Sequence, residues 1–328
     1  MKAIIPAAGV GTRLRPHTYS TPKALLPVAG RPVLAHILDS LVGLGLEKVV
    51  LVVGYLGDEI LDWVRKNYEL EVEFVLQEKR EGLGHAFLMA MEKASLREGP
   101  AVGVLGDTIF KADLAQFLSL GSHAMGVKRV EDPRRFGVAE LEGGRISNLV
   151  EKPEHPKSDL ALVGLYSFSD LAPLYRALSD IVARDQRTRG EYQLTDGLQA
   201  MIDAGEELLP FEIENWYDVG KPETWLKTNR VLLESAAKLE ARDGVEIIPP
   251  VYLHPDAIVE ESRIGPHVSV GAGSRVISSR IENSVIDEGC RVTDSTLSAS
   301  LLGANCEVSR AEGQVILGNE SVFMGGKE

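Results

Sequence analysis

Cysteine is nearly missing from this chain of 328 residues: only Cys290 and Cys306 occur. Two such residues give neither a disulfide framework nor a zinc-ligand spacing, so free thiols are expected. No apolar run approaches the roughly 20 residues needed to cross a bilayer. Nor does the beginning read as a secretory leader, since Met1-Lys2 leads straight into a short strand-like run that Pro6 ends. A cytoplasmic protein without membrane partners is the expectation. Positive charge is the scarcer sign, with 35 Lys and Arg against 48 Asp and Glu and a net charge of −13. That balance excludes a general nucleic-acid-binding surface. No convincing histidine dyad for acid–base work is present either. What remains, 44% apolar and 25% charged residues, is an ordinary globular composition whose length suggests two domains.

What is there is concentrated at the beginning. Residues 2 to 5 suit a strand buried in a parallel sheet. Ala7-Ala8-Gly9-Val10-Gly11-Thr12-Arg13 follows, a small-residue turn whose backbone amides can close around a phosphate. Five basic residues, Lys2, Arg13, Arg15, Lys23 and Arg31, precede the first carboxylate, Asp39. In so acidic a chain this local reversal of sign points to a small polyanion as ligand. The dinucleotide fingerprint requires a third glycine where Thr12, Arg13 and Leu14 stand, and the Gly-Lys-Ser/Thr of a P-loop is absent.

Apolar residues at helical spacing predict a helix from Val33 to Leu46, in which His36 is structural. Strands are expected at Val49–Val53, Val72–Leu76 and Ala101–Leu105, with a helix from about Asp58 to Asn67. Strands separated by helical patterns at this spacing indicate βαβ units and a mostly parallel sheet, with ligands beyond the carboxyl ends of the strands. The glycine loop, Gln77 and Asp107 all fall at such ends. Residues 136 to 168 read as hairpin and strand around Gly143-Gly144, and a helix is expected from about Pro222 to Ala241.

From Leu253 onward the sequence repeats. VGAGSR, IDEGCR and LGANCE recur every sixteen residues, each with a valine (Val276, Val292, Val308) six positions on. An aliphatic residue with a small residue four places later is the hexapeptide pattern of a left-handed parallel β-helix. Four coils are expected, with Ser274, Cys290 and Cys306 stacked at equivalent inward positions. Val315 to Phe323 would form the open end.

From Gly9 to Val28 the chain reads GVGTRLRPHTYSTPKALLPV, which resembles the signature of the sugar-1-phosphate nucleotidylyltransferases; further motifs follow in that family's order to about residue 225. The resemblance implies a Rossmann-like, mostly parallel α/β catalytic domain over residues 1–241 and a left-handed β-helix over 245–328. It implies an enzyme that joins a nucleoside triphosphate to a sugar 1-phosphate and releases pyrophosphate. Ala8, Gly9, Gly11, Thr12 and Arg13 would bind the nucleotide, with Gln77 and Gly82 in the base-recognition segment and Arg13 and Lys23 catalytic. Gly137, Glu151, Lys152 and Val163 would form the sugar-phosphate pocket. Asp107, in Leu-Gly-Asp-Thr, would otherwise read as the cap of the next helix. With Asp218, in Trp-Tyr-Asp-Val-Gly-Lys, it matches the family's two metal-holding aspartates, and Mg2+ suits so sparse a carboxylate set beside phosphate oxygens.

Two departures bear on the substrates. Ala8-Gly9 stands where close thymidylyltransferases carry Gly-Gly, and Gln193 where they often carry a second glutamate. dTTP with glucose 1-phosphate leads, UTP is next, and a GTP-dependent mannose-1-phosphate guanylyltransferase is the rival. A catalytically silent regulatory or assembly subunit of the same fold is the rival from another class. The β-helix, whose only histidines are His254 and His267, is expected to assemble a homo-oligomer rather than to carry acyl-transfer chemistry.

Overall fold

The computed structural model describes residues 1–235 and 244–326. The chain folds into two compact units, Met1–Gly9 with Ile37–Tyr217, and Val10–His36 with the described residues from Asp218 on. The basic loop therefore belongs to the same compact unit as the repeats, although more than 200 residues of sequence separate them. The expected domain boundary between 241 and 245 falls largely outside the described residues.

The first unit is built on a nine-stranded sheet. Lys2–Pro6 lies between Ala101–Val104 and Lys48–Val53, with Val72–Leu76 beyond, all parallel. Val50, Leu51 and Val52 are fully buried, as a parallel strand covered on both faces requires. Leu160–Phe168 runs antiparallel to Ala101–Val104 and carries the sheet on to the Gly137–Glu142 and Arg145–Glu151 hairpin. Along the same long strand, His123–Arg129 pairs antiparallel, with Leu208–Glu212 parallel beside it.

The first helix stops at Leu41, short of the expected Leu46. Gly43 and Gly45, at φ +88 and +68, turn the chain there before the apolar pattern is exhausted. Asp107 caps no helix, because a strand, Thr108–Lys111, follows it; the next helix, Leu114–Ser119, is capped by Asp113, which accepts from Gln116 N at 2.9 Å. Among the described residues no helix is long and apolar enough to cross a membrane.

In the second unit the repeats form a left-handed β-helix whose three parallel sheets each contain five strands. That is one coil more than expected, because Val245–Ile247 opens a first rung before the repeat becomes regular. Val276, Val292 and Val308 stack in register, and all are buried. The corners hold ladders that periodicity alone does not reveal. Ser279 N donates to Ser262 Oγ at 3.0 Å, Ser295 N to Ser279 Oγ at 3.1 Å, and Ala311 N to Ser295 Oγ at 3.1 Å. Each buried hydroxyl thus satisfies an amide of the following coil, which removes the cost of leaving both unpaired. At the expected positions, Cys290 N donates to Ser274 Oγ, while the Cys290 and Cys306 thiols donate to the carbonyls of Gly303 and Gly318. The helix Pro222–Leu233 precedes the solenoid; the part of the expected helix beyond residue 235 lies outside the described residues.

Burial controls the reactivity of these two thiols. The adjacent Cys306 sulfur and burial push the Cys290 thiol well above the ordinary range. Neither cysteine should react with a maleimide in the native protein, and both should react once it is unfolded in denaturant, as counted by mass spectrometry. Rapid labelling under native conditions would mean that the coils open. Ile281→Ala, in the same core, should cost about 2–5 kcal/mol in chemical denaturation.

Candidate active site

In the first unit, the sugar-phosphate candidates converge. Gly137 is directly opposite Glu151 in the hairpin register. A Cβ on Gly137 would stand 3.0 Å from Thr195 Oγ1 and 3.2 Å from Glu151 Oε2, so a side chain there would press on the Glu151 carboxylate. Thr195 Oγ1 donates to Glu151 Oε2 at 2.7 Å, and Lys152 Nζ pairs with Glu151 Oε1 at 2.9 Å. Lys152 adopts φ +46, with its N–H on Phe136 O and its own carbonyl accepting from Arg189 Nη2 at 2.8 Å. Val163 lies where the ladder between His123–Arg129 and Leu160–Phe168 shifts register, a device that re-aims backbone. Burial, then the Glu151 and Asp107 carboxylates, push the Tyr166 phenol up, so it stays protonated. Asp107, whose Oδ1 accepts from Thr108 Oγ1 at 3.1 Å, is thereby brought into the same neighbourhood as Glu151.

Ala8 and Gly9 follow the Lys2–Pro6 strand, and a Cβ on Gly9 would meet no atom within 4 Å, leaving open room over the backbone. On the base-recognition side, Gln77 is buried at 5% exposure. Its Nε2 donates to Gly82 O at 3.3 Å and to His85 Nδ1 at 3.2 Å. His85 then carries its proton on Nε2, facing Glu81 Oε2 at 3.5 Å. Gly82 has φ +110, and a Cβ there would collide with Tyr192 O. Gly84 N donates to that same carbonyl, and Tyr192 N to Glu81 O, both at 2.8 Å. Arg187 completes the clasp: it lies 4.1 Å from the Tyr192 ring centroid and pairs with Glu81 and Asp185 at 3.0 and 2.7 Å. His85, Arg187, Tyr192 and Thr195 were not singled out as site residues by sequence reasoning. Glu81 and the Arg189–Asp196 motif were the available signals.

The second unit holds the remaining candidates. Gly11 has φ +65, and a Cβ there would stand 3.0 Å from Thr18 Cγ2 and 3.3 Å from Lys23 Cβ, so a side chain would strain the turn and press on Lys23. Thr18 Oγ1 closes the turn on Gly11 O at 2.8 Å. Thr12 and Arg13, in the 3₁₀ turn Thr12–Leu14, are exposed. His17 is buried with both ring nitrogens unpartnered, and burial pushes it down to about 4; it is neutral and does no acid–base work at neutral pH. Asp218 ends the strand Asn215–Asp218 just ahead of the helix Pro222–Leu233. Thr224 Oγ1 accepts from Gly220 N and Lys221 N, each at 3.2 Å, and its one proton faces both Lys221 O at 3.1 Å and Asp218 Oδ2 at 3.3 Å, so the helix cap also lies against the carboxylate. A Cβ on Gly220 would stand 2.6 Å from Asp218 Oδ2 and 3.4 Å from Arg13 Nη2. The bare Cα of Gly220 thus floors a cradle containing one carboxylate and one guanidinium. Gly220 and Thr224 are the residues missed here; the capping pattern Lys221-Pro222-x-Thr224 was their signal.

Among the described residues no three His, Cys, Asp or Glu side chains gather into a metal-binding group. The donor chemistry on offer is single carboxylates, Asp107 in one unit and Asp218 in the other. Each by itself suits a hard cation that takes few carboxylates and fills its other positions with phosphate oxygens and water.

Comparison with known proteins places this geometry. The nucleotidyl transferase family matches residues 2–235. A glucose-1-phosphate thymidylyltransferase of Streptomyces griseus is 37% identical over 327 residues, covering 94% of this chain and 89% of that protein. The low-salt glycan biosynthesis nucleotidyltransferase Agl11 of Haloferax volcanii is 30% identical, with 95% of each chain covered. Among solved structures, UDP-glucose pyrophosphorylase complexed with UDP-glucose superposes with a TM-score of 0.61 at 25% identity, over 72% of this chain and 99% of that one. With a glycine turn packed against Lys23 and an arginine–carboxylate cradle over Gly220, with the family matched over residues 2–235 and relatives matched along nearly the whole length, the chain belongs to the nucleotidyl transferase family and is a sugar-1-phosphate nucleotidylyltransferase.

Proposed function

We propose that the protein transfers a deoxythymidylyl group from dTTP to glucose 1-phosphate, with UTP as the next best donor. The observation that carries the mechanism is the Gly220 cradle, where Arg13 and Asp218 meet over a bare Cα. The acceptor and the thymidylyl group are those named for the Streptomyces griseus relative, and the UDP-glucose bound by the pyrophosphorylase supports a pyrimidine. The rival guanylyltransferase reading rests on Ala8-Gly9 alone.

The second pKa of a sugar phosphate lies near 6, by analogy with protein phosphoesters, so the nucleophile is already ionised at neutral pH. One of its oxygens attacks the α-phosphorus, and the bond from that phosphorus to the bridging oxygen breaks, releasing pyrophosphate. No proton need be removed by the protein, in keeping with the neutral, buried His17. The work is alignment and charge neutralisation. Ala8, Gly9, Gly11 and Thr12 present backbone to the triphosphate. Arg13 stabilises charge on the departing pyrophosphate, and Lys23 steadies the α-phosphate. Lys152, held by Glu151, grips the sugar phosphate, while Glu151 and the backbone at Gly137 and Val163 meet sugar hydroxyls. Gln77, with Gly82, faces the base. Asp107 and Asp218 would hold Mg2+, which when bound supplies divalent charge to phosphate oxygens. We further propose a homo-oligomer, since Val322, Phe323 and Met324 leave the last coil apolar and exposed.

Pyrophosphate release across a matrix of nucleoside triphosphates and sugar 1-phosphates tests the substrate pair. dTTP with glucose 1-phosphate should be fastest and UTP second; a preference for GTP or ATP overturns the assignment.

Arg13→Ala should lower kcat and kcat/KM together, by about 10²–10³-fold, because its charge acts mainly in the transition state. A rise in KM alone would reduce Arg13 to a docking contact. Gly220→Ala should displace the Asp218 carboxylate and raise the Mg2+ concentration for half-maximal rate roughly tenfold. Asp107→Asn and Asp218→Asn should nearly abolish turnover at unchanged Tm, and full activity in excess chelator would defeat the metal assignment.

A further inference from the structure

Within the second unit, the loop bearing Arg13 and Lys23 is held by the β-helix at three levels. At the first coil, the Tyr252 ring fills the space that a Cβ on Gly30 would need. At the second, Ser269 Oγ donates to Asn229 Oδ1 at 2.7 Å, and the same oxygen accepts from Ala29 N at 2.8 Å. At the last, Gly318 lies against Pro16, where a Cβ would stand 3.1 Å from the Pro16 carbonyl oxygen. There also Asn319 Nδ2 donates to Thr21 Oγ1 at 3.0 Å. The Asn319 amide is oriented from inside the solenoid, since its Oδ1 accepts from Ala304 N at 3.1 Å. Pro16 lies three residues after Arg13, and Thr21 two before Lys23.

The loop has little of its own to fix it. Between Gly9 and Leu26 its regular structure is three separate 3₁₀ turns, Thr12–Leu14, His17–Tyr19 and Lys23–Leu25, and beyond them a hairpin of two-residue strands, Pro27–Val28 and Arg31–Pro32, each too short to be stable alone. The solenoid, by contrast, is cross-linked from coil to coil by backbone and serine ladders. We infer that the β-helix is a positioning element for the phosphate loop, with Tyr252, Ser269 and Asn319 acting as positioning residues for Arg13 and Lys23. The inference rests on the reading of that loop given above. It assigns the repeats a part in turnover that subunit assembly does not need, because misplacing a reacting group by about 1 Å costs on the order of 100-fold.

The test uses the full-length protein and Thr21→Val, which removes the hydroxyl on the loop and leaves every coil intact. Thr21→Val should lower kcat about tenfold or more, with KM for the sugar 1-phosphate and Tm unchanged, and Thr21→Ser should restore it. Hydrogen exchange should quicken at the Leu14 and Leu25 amides, which close two of the turns, and not in the solenoid. Should Thr21→Val fail to fold, Tyr252→Leu gives the same two readings at the Gly30 end. Wild-type kcat with unchanged loop exchange in a folded variant overturns the inference. A wild-type protein without nucleotidyl transfer overturns the functional reading instead, and the exchange measurement still decides whether the solenoid braces the loop.

Discussion

A single buried oxygen, Asn229 Oδ1, receives two donors, the amide of Ala29 and the hydroxyl of Ser269. Ala29 and Gly30, at φ +49 and +83, form the two-residue turn of a small hairpin joining Pro27–Val28 to Arg31–Pro32. Such a turn leaves an inward amide that no ladder can satisfy, and an unsatisfied buried donor costs about 1–3 kcal/mol. Asn229 meets that need from the helix Pro222–Leu233 and joins the turn to the second coil. Four residues earlier on the same helix, Trp225 Nε1 donates to Pro27 O at 2.7 Å and lies edge-on to His17 at 4.9 Å. The same helix begins at the cap that lies against Asp218. One helix thus sets the basic loop, the carboxylate and the start of the solenoid in a common frame.

The charge pattern follows the same economy. A chain of net charge −13 keeps its first 38 residues free of carboxylates. Within that stretch the one buried titratable ring, His17, is held neutral by burial. Positive potential there comes from side chains on a backbone whose shape is fixed by contacts elsewhere, which favours the approach of a polyanion. The Lys152–Glu151 pair differs, because Thr195 holds the other carboxylate oxygen and leaves the lysine tethered but partly exposed.

Much of this was legible in the sequence. Short apolar runs located the parallel strands, and the sixteen-residue repeat located the solenoid, because both are local patterns. The first coil escaped because Val245–Ile247 precedes the regular spacing, and the first helix was overextended because Gly43 and Gly45 stop it before the apolar pattern ends. The site residues that sequence missed share one property: each acts on another residue rather than on a ligand. His85 orients Gln77, Thr195 holds Glu151, and Gly220 gives room to Asp218 and Arg13. Their partners lie between 2 and more than 200 positions away, and local signals such as the capping pattern Lys221-Pro222-x-Thr224 mark the neighbourhood without encoding the pairing. The membership of residues 10–36 in the unit of the repeats was hidden for the same reason.

The departure at Gln193 acquires a physical meaning from its surroundings. Gln193 is 6% exposed, and its Nε2 donates to Thr188 O and Glu191 Oε2, both at 3.3 Å. A glutamate in that orientation would set a carboxylate against a carbonyl and a second carboxylate, with almost no water to screen them. Gln193 therefore allows Glu191 to remain in place. The segment that contains both residues reaches both candidate regions of the first unit: Tyr192 clasps Glu81 and Gly84, while Arg189 and Thr195 hold Lys152 and Glu151. An exchange at position 193 would move Glu191 first, and through the neighbouring backbone it would press on the nucleotide side and the sugar side together. On the site assignment proposed above, donor and acceptor preferences would be coupled through this one short segment.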